Sequence, residues 1–272
     1  MARRGSLSDV SYTVVVGLLS AVALVILVGP VIVVLITSFT DSLTLKFPPP
    51  GFSTRWYRAL FDPTRSAEVH SAARTSVIVA IVATTLATVL GTLAALAIAR
   101  TKAAWARGLD VFFMSPLILP ALAYGLSALA FFTLIGFRLS IHLLIIGHIV
   151  VIVPFVLRTT VASLSQLDPA LLDSSASLGA SAFYTFRRVT LPLILPGIAA
   201  GGFLAFMASF DNVPVSLFLS DARTEVLPIR MWYMLESTLD VRTAAISGVL
   251  IGATLLLVLI MDRVVGLARR MR

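Results

Sequence analysis

The chain contains no cysteine, and only 12% of its 272 residues are charged. The absence of cysteine excludes disulfide bonds and metal sites built from thiolates. A soluble domain normally carries about twice this share of charged residues. Here the charges are also clustered and leave long uncharged runs, a pattern typical of a protein that crosses a membrane several times. We therefore attribute the net charge of +8 to membrane topology and lipid headgroups, and we expect no nucleic acid partner.

The sequence also lacks the motifs of catalysis and nucleotide binding. It has no GxxxxGK(S/T) loop, which excludes ATP binding by that route, and it has no HExxH metal motif. Its three histidines, His70, His142 and His148, lie far apart. His148 falls inside an apolar block. We interpret it as a core histidine hydrogen-bonded to a neighbouring helix, because a proton relay needs several ionisable groups within the membrane. We expect this chain to have no enzymatic activity, no metal and no cofactor of its own.

Six apolar blocks are long enough to cross a bilayer as helices. They predict an all-α integral membrane protein, with one transmembrane domain over residues 1–272. The alternation expected of a β-barrel is absent, and the first block is too long for a signal-peptide core, so it should remain as a span. The predicted spans cover about residues 12–37, 74–99, 111–135, 141–163, 191–211 and 242–261.

Two polar segments and one glycine pair suggest further local structure. Residues 52–61 mix aromatic side chains with arginines, which favours a short helix at the membrane surface as much as an exposed loop. Residues 228–236 favour an amphipathic helix. In the fifth block Gly197 and Gly201 are four residues apart, and small side chains at this spacing permit close contact between helices.

The distribution of charge predicts the orientation in the membrane. With the N-terminus inside, the inner segments carry a net charge of +7 and the outer segments +1, which together give the +8 of the chain. Cytoplasmic segments of membrane proteins are enriched in Lys and Arg. We therefore predict that both termini and the loop of about residues 164–190 are cytoplasmic. The inner basic residues are Arg3, Arg4, Arg100, Lys102, Arg107, Arg158, Arg187, Arg188, Arg263, Arg269, Arg270 and Arg272.

The polar segment 166–192 lies between two apolar blocks and predicts two short helices separated by a glycine. Asp168 followed by Pro169 predicts the start of the first helix, because a carboxylate caps free N–H groups and proline loses nothing at the first helical position. This helix should run to about Leu178 and stop at Gly179, which can adopt the left-handed conformation.

Ser181 is expected to cap the second helix, which should end before Pro192 because proline interrupts a helix. Cations suit the end of a helix, and Arg187 and Arg188 fall in the expected last turn. Leucine and phenylalanine side chains should give the helix pair an apolar side. These residues are Leu171, Leu172, Leu178, Phe183 and Phe186.

The same segment resembles the EAA motif of inner-membrane permease subunits of binding-protein-dependent ABC importers. In that motif Glu-Ala-Ala is followed after three residues by Gly, and then by a hydrophobic residue and Leu-Pro. Here an Asp stands in the place of Glu, and two serines stand in the place of Ala-Ala. The matching residues are Asp173, Ser174, Ser175, Ala176, Leu178, Gly179, Phe183, Leu191 and Pro192. The resemblance implies a type I ABC importer permease fold, in which these residues couple the permease to a cytoplasmic ATPase. An ordinary helical hairpin is the alternative.

A second group of polar and aromatic residues lies at the outer end of the fifth block and beyond it. A carboxylate at membrane depth is costly, which favours Asp211 as a cation-binding group on the substrate path. A helix cap is the alternative, since Asp and Asn favour turns and N-caps. The aromatic residues would add cation–π contacts or belong to an interfacial belt. The candidate path residues are Ser209, Phe210, Asp211, Asn212, Trp232 and Tyr233.

Residues 209–219 and 227–232 are similar to the C-terminal part of spermidine/putrescine-type permeases. This resemblance implies import of a polyamine or another small cation across the bacterial inner membrane. It also implies three partners: a second permease subunit, expected to be a different homologue; a cytoplasmic ATPase dimer that binds ATP and Mg; and a periplasmic solute-binding protein. A permease for a phosphonate, an opine or another small organic anion stays open, as does a secondary transporter or channel that acts alone.

Overall fold

The computed structural model describes the backbone of residues 7–99, 101 and 103–270, and the side chains of residues 12–99, 101 and 103–263. In this part of the chain the regular secondary structure is helical, apart from one antiparallel bridge between Thr40 and Phe52. The helices are α1 (Leu7–Ser38), α2 (Arg55–Phe61), α3 (Ala67–Ala99), α4 (Ala104–Ile118), α5 (Ala121–Leu134), α6 (Ile141–Ser165), α7 (Pro169–Ser177), α8 (Ala182–Thr185), α9 (Leu191–Phe210), α10 (Val213–Leu219), α11 (Leu227–Thr238) and α12 (Arg242–Arg270).

Five stretches of helix are long and apolar enough to cross a membrane. They are Tyr12–Ser38, Ala67–Ala99, Ile141–Ser165, Ala182–Phe210 and Arg242–Arg263. They correspond to five of the six predicted blocks, and the all-helical membrane architecture is confirmed. Of the predicted inner basic residues, the side chains of Arg3, Arg4, Arg100, Lys102, Arg269, Arg270 and Arg272 lie outside the described residues.

The third predicted block is not one straight helix. Its two halves, α4 and α5, meet at an angle of 105°. Leu119 and Pro120 between them have non-helical backbone conformations, with ψ of 139° and 125°. Proline has no N–H group for the helix and disfavours the helical conformation of the residue before it. The predicted span over 111–135 therefore contains a sharp bend at Leu119 and Pro120, although α4 itself accommodates Pro116. That the two helices cross the membrane as one span stays a prediction.

The chain forms two compact units, the first comprising residues up to Ala67 together with Met234–Leu255, and the second comprising Glu68–Tyr233 together with residues from Leu256 onward. The assignment of a single domain stays a prediction. In the first unit, α2 confirms a helix in segment 52–61. It is fixed by two hydrogen bonds: Ser38 Oγ lies 2.8 Å from Tyr57 Oη, and Trp56 Nε1 donates to Ser42 O over 3.1 Å.

In the second unit, α6 packs closely against α9 through the predicted glycine pair. A Cβ atom on Gly197 would lie 2.8 Å from Thr159 O, and one on Gly201 would lie 2.8 Å from Val156 Cα. These distances are too short for any side chain, so the two glycines permit the contact, as the spacing predicts. Leu144, Ile152, Val156 and Leu157 of α6 are fully buried.

The short helix α10 packs against α5 and α6 in the same unit. A Cβ atom on Gly125 of α5 would lie 2.7 Å from Pro214 O, and one on Gly147 of α6 would lie 3.0 Å from Val215 Cγ1. Val215 and Leu219 of α10 are fully buried. The segment after α9 therefore folds back onto the helices that precede it.

Candidate coupling and transport sites

The first helix of the polar segment forms as the sequence predicts. Asp168 Oδ1 accepts a hydrogen bond of 2.9 Å from Ala170 N, and Pro169 is the first residue of α7. The helix ends at Ser177, and Gly179 follows with φ of +77°. A side chain with a Cβ atom is strained at this φ, so the glycine allows the chain to turn.

The second helix begins as predicted but does not end before Pro192. Ser181 Oγ accepts from Tyr184 N at 3.3 Å and caps α8. A π-helical turn, Phe186–Thr190, then joins α8 to α9 without a break. In this wider turn Leu191 N donates to Phe186 O, five residues back. The chain thus enters α9 with Pro192 in its first turn, where the missing N–H group is tolerated.

The hairpin of α7, α8 and the π-helical turn, residues 169–190, presents apolar side chains to its surroundings. Leu178 is 87% exposed and Phe183 is 71% exposed. A groove of 760 Å³ runs between its helices. The residues lining it are Leu171, Ser174, Ser175, Leu178, Gly179, Ala180, Ser181, Tyr184, Arg188 and Val189.

The candidate coupling residues do not all face the same way. Asp173, Ser174, Ala176 and Pro192 are exposed, whereas Leu191 is partly buried. The remaining side chain, that of Ser175, is buried, and its Oγ lies at a hydrogen-bond distance of 2.7 Å from Thr185 Oγ1. Thr185 carries no motif signal, so the sequence did not suggest its role in joining α7 to α8.

The candidate path residues at the end of α9 differ in exposure: Ser209 and Phe210 are buried or partly buried, whereas Asp211 is exposed. Ser209 is buried and its Oγ lies 2.9 Å from His148 Nδ1 on α6. The interpretation of His148 as a core histidine bonded to a neighbouring helix is confirmed. Phe210 is partly buried, and its ring stacks on that of Phe206 at a centroid distance of 6.1 Å.

Of the next two residues, Asn212 caps a helix and Asp211 carries a negative charge. Asn212 Oδ1 accepts a hydrogen bond of 3.0 Å from Val215 N and caps α10. Asp211 is exposed, and its carboxylate makes no hydrogen bond or ion pair with the residues that the structure describes. Partial desolvation raises the pKa of the Asp211 carboxyl. A free carboxylate therefore lies one residue beyond a membrane span.

Trp232 and Tyr233 lie on α11, which confirms the helix predicted for residues 228–236. Trp232 is 58% exposed and Tyr233 is 49% exposed. The start of this helix is held at α3, because Leu227 N donates to the buried Ser76 Oγ over 2.8 Å.

Arg230 adds an electrostatic contact at the same place, which the sequence did not suggest. It forms an ion pair with Glu68 of α3, and its Nη1 lies 3.7 Å from Glu225 Oε2. Partial burial raises the pKa of the Glu225 carboxyl. The acids that Arg230 pairs with lie in α3 and in the loop before α11, so these ion pairs tie the first turn of α11 to both.

Sequence comparison places these features in a known class of membrane protein. Residues 87–272 match the family described as "Binding-protein-dependent transport system inner membrane component". The chain is 30% identical over 230 residues to the spermidine/putrescine transport system permease protein PotC of Escherichia coli (strain K12), covering 85% of this chain and 86% of the relative. It is 30% identical over 234 residues to the putrescine transport system permease protein PotI of the same strain, covering 84% and 82%.

Solved structures of ABC transporters have the same fold. A chain of a bacterial transporter involved in the import of the acidic polysaccharide alginate superposes with a TM-score of 0.72 and 15% identity, over 97% of this chain and 98% of that one. A chain of the MetNI methionine transporter gives a TM-score of 0.61 and 16% identity, over 72% and 94%. The fold is therefore that of an ABC importer permease. The chain belongs to the family of inner-membrane components of binding-protein-dependent transport systems, and it is a multi-pass protein of the inner membrane.

Proposed function

We propose that this chain is the permease subunit of an importer for polyamines, such as putrescine and spermidine, or for similar small cations. The observation that carries the proposal is the free carboxylate of Asp211 at the end of a membrane span. The carboxylate is exposed and has no ion-pair partner among the described residues, so it is available to bind a cationic solute. The relatives that are 30% identical over more than four fifths of the chain carry polyamine names, which supports a cationic solute.

The 169–190 hairpin is the proposed contact with a cytoplasmic ATPase dimer. Its exposed Leu178 and Phe183 offer apolar anchors, and its groove could receive a side chain of the partner. ATP and Mg would be bound by that partner, since this chain has no phosphate-binding loop. The excess of inner basic residues supports a cytoplasmic location for the hairpin and both termini.

A second permease subunit, proposed to be a different homologue, would complete the pathway. A periplasmic solute-binding protein would deliver the solute to the outer side. In support, one related structure is that of an alginate transporter in complex with a periplasmic protein that carries its oligosaccharide. A phosphonate, opine or other organic anion is disfavoured, because Asp211 would repel an anion.

Uptake of radiolabelled putrescine by cells that express the complete transporter tests this proposal. We expect saturable uptake that stops when ATP is depleted and that spermidine inhibits by competition. Inhibition by a phosphonate or opine but not by spermidine would overturn the choice of solute. Uptake by the purified chain alone in liposomes without ATP would instead identify a secondary transporter or channel.

A further inference from the structure

A buried hydrogen-bonded cluster connects α6 to both sides of the turn that carries Asp211. His148 Nδ1 lies 2.9 Å from Ser209 Oγ, and His148 Nε2 lies 3.1 Å from Ser216 Oγ. Ser209 is in the last turn of α9, and Ser216 is in the middle of α10. All three side chains are at most 2% exposed. One imidazole ring therefore bridges two helices that meet at the Asp211–Asn212 turn.

The cluster is complete in its hydrogen bonding. A serine hydroxyl both donates and accepts, so each ring nitrogen has a partner whether or not it carries a proton. A buried polar group without a partner would cost free energy, whereas a satisfied one fixes geometry. The network thus fixes the relative positions of His148, Ser209 and Ser216 and leaves none of these three side chains unpaired.

Packing alone does not determine the position of α10 as sharply. The helix contacts α5 and α6 through Gly125 and Gly147 and through apolar side chains such as Val215 and Leu219. Apolar contacts are non-directional. Hydrogen bonds depend on distance and angle. The two bonds of His148 therefore set the register of α9 and α10 on either side of the turn.

We propose that His148 is a positioning residue that fixes the α9–α10 turn and so holds the Asp211 carboxylate in place for the solute. The consequence for transport rests on the proposed function, but the effect of His148 on the turn does not. A histidine that serves only the stability of the core would leave the geometry of the turn unchanged in any variant that folds. The two roles are therefore separable by a structural measurement and a transport measurement on the same variants.

The structural measurement uses spin labels on either side of the turn. Leu195 of α9 is 53% exposed and Leu217 of α10 is 46% exposed, and the chain has no cysteine, so Leu195→Cys and Leu217→Cys provide two unique labelling sites. In His148→Leu the serines can bond to their own helices, as Ser247 Oγ does to Thr243 O at 2.9 Å. We expect the distance distribution of the full-length chain in nanodiscs to broaden in His148→Leu beyond the variation between repeat measurements. An unchanged distribution in this variant would overturn the proposal.

Two further variants make this result specific. His142→Leu makes the same substitution at an exposed position of the same helix and should leave the distribution unchanged. Ser216→Ala removes only the hydrogen bond between His148 and α10, and it should broaden the distance distribution. This variant keeps the test decisive if His148→Leu fails to fold. Broadening in His142→Leu, or none in a folded Ser216→Ala, would contradict the role of the cluster.

The transport measurement combines His148→Leu with Asp211→Asn. If His148 acts through Asp211, uptake of radiolabelled putrescine should fall about tenfold in His148→Leu, the shift that one or two hydrogen bonds produce. It should fall no further in the double variant than in Asp211→Asn. Independent, multiplied losses would overturn the proposal. Normal uptake in Asp211→Asn would overturn the proposed role of the charge, while the distance measurement would still decide the role of His148 in the turn.

Discussion

The hydroxyl groups of Ser175 and Thr185 lie 2.7 Å apart and join the two helices of the 169–190 hairpin. Ser175 is buried, whereas its neighbours Ser174 and Ala176 are exposed. A serine in a motif position that otherwise carries a small apolar residue thus finds its partner inside the hairpin. This bond, together with the caps at Asp168 and Ser181, lets a short segment hold a defined surface.

Loss of this bond should loosen the hairpin. In Ser175→Ala we expect amide hydrogen exchange within residues 169–190 to accelerate about 2- to 10-fold, because one hydrogen bond contributes about 1 kcal/mol. Thr185→Val should have a similar effect, and the double variant should be no worse than either single one. Ser177→Ala changes an exposed serine of the same helix and should leave exchange unchanged. Equal acceleration in Ser177→Ala would show that the bond has no special role.

Gly179 should be sensitive to substitution because of its backbone, not because of crowding. Its φ is +77°, and no atom would contact a Cβ atom there. We expect Gly179→Val to cost about 1 kcal/mol or more locally, to weaken attachment of the ATPase and to reduce uptake, while membrane insertion persists. Co-purification of the ATPase measures this effect.

Gly136 provides a matched control for the same strain. Its φ is +83°, it also has no atom near a Cβ position, and it lies between α5 and α6. Gly136→Val should impose a similar local cost but leave attachment of the ATPase intact. Equal loss of the ATPase in both variants would mean that general instability, and not the hairpin, controls docking.

The contact between α6 and α9 should resist larger side chains. A Cβ atom on Gly201 would lie 2.8 Å from Val156 Cα, so Gly201→Ala should lower the free energy of unfolding by about 1–3 kcal/mol. Gly252→Ala on α12 meets no atom and should be neutral or slightly stabilising, since alanine favours a helix over glycine. Thermal unfolding in detergent measures both. An unaltered midpoint for Gly201→Ala would contradict the close packing.

Features encoded by neighbouring residues were predictable from the sequence. The cap at Asp168 and the stop at Gly179 each depend on residues within one or two turns of helix, and the spans are continuous apolar runs along the chain. Pro120 and Pro192 carry the same local signal but have different outcomes. At Pro120 the helix is interrupted and α4 and α5 meet at 105°, whereas Pro192 follows a π-helical turn and the helix continues through it. That choice depends on how the surrounding chain packs and not on the proline itself.

Features that join distant residues were not predictable. Ser209 and Ser216 are 61 and 68 residues from His148, and no pattern in the sequence pairs them. Sequence reasoning suggested a bonded core histidine but could not name its partners. It also left capping and charge open for Asp211, because Asp and Asn are equally good caps. The structure assigns the cap to Asn212, so the charge of Asp211 needs another explanation.

Substitutions at two adjacent positions therefore separate the role of the charge from that of the helix cap. Asp211→Asn removes the charge and nearly preserves the shape, and we expect a loss of about 1–3 kcal/mol of interaction with a cationic solute. Uptake of putrescine should fall, while assembly and solute binding by the periplasmic protein stay normal. Asn212→Ala removes the cap of α10 and should destabilise the fold by about 1 kcal/mol. Asn212→Asp keeps the cap and should behave like the wild type in stability.

The pH dependence of uptake provides an independent check on the charge. Desolvation raises the pKa of the Asp211 carboxyl, so it gains its proton at a higher pH than an ordinary aspartate does as the pH falls. Because only the ionised form attracts a cation, uptake should weaken on the acidic side of that pKa, and Asp211→Asn should lack this part of the profile. Unchanged uptake in an assembled Asp211→Asn transporter at every solute concentration, with the same pH profile as the wild type, would rule out the charge role. If uptake by Asp211→Asn still weakens at acidic pH, another group is responsible for the titration. If the pH dependence disappears and uptake is reduced, the Asp211 carboxylate lies on the path of the solute.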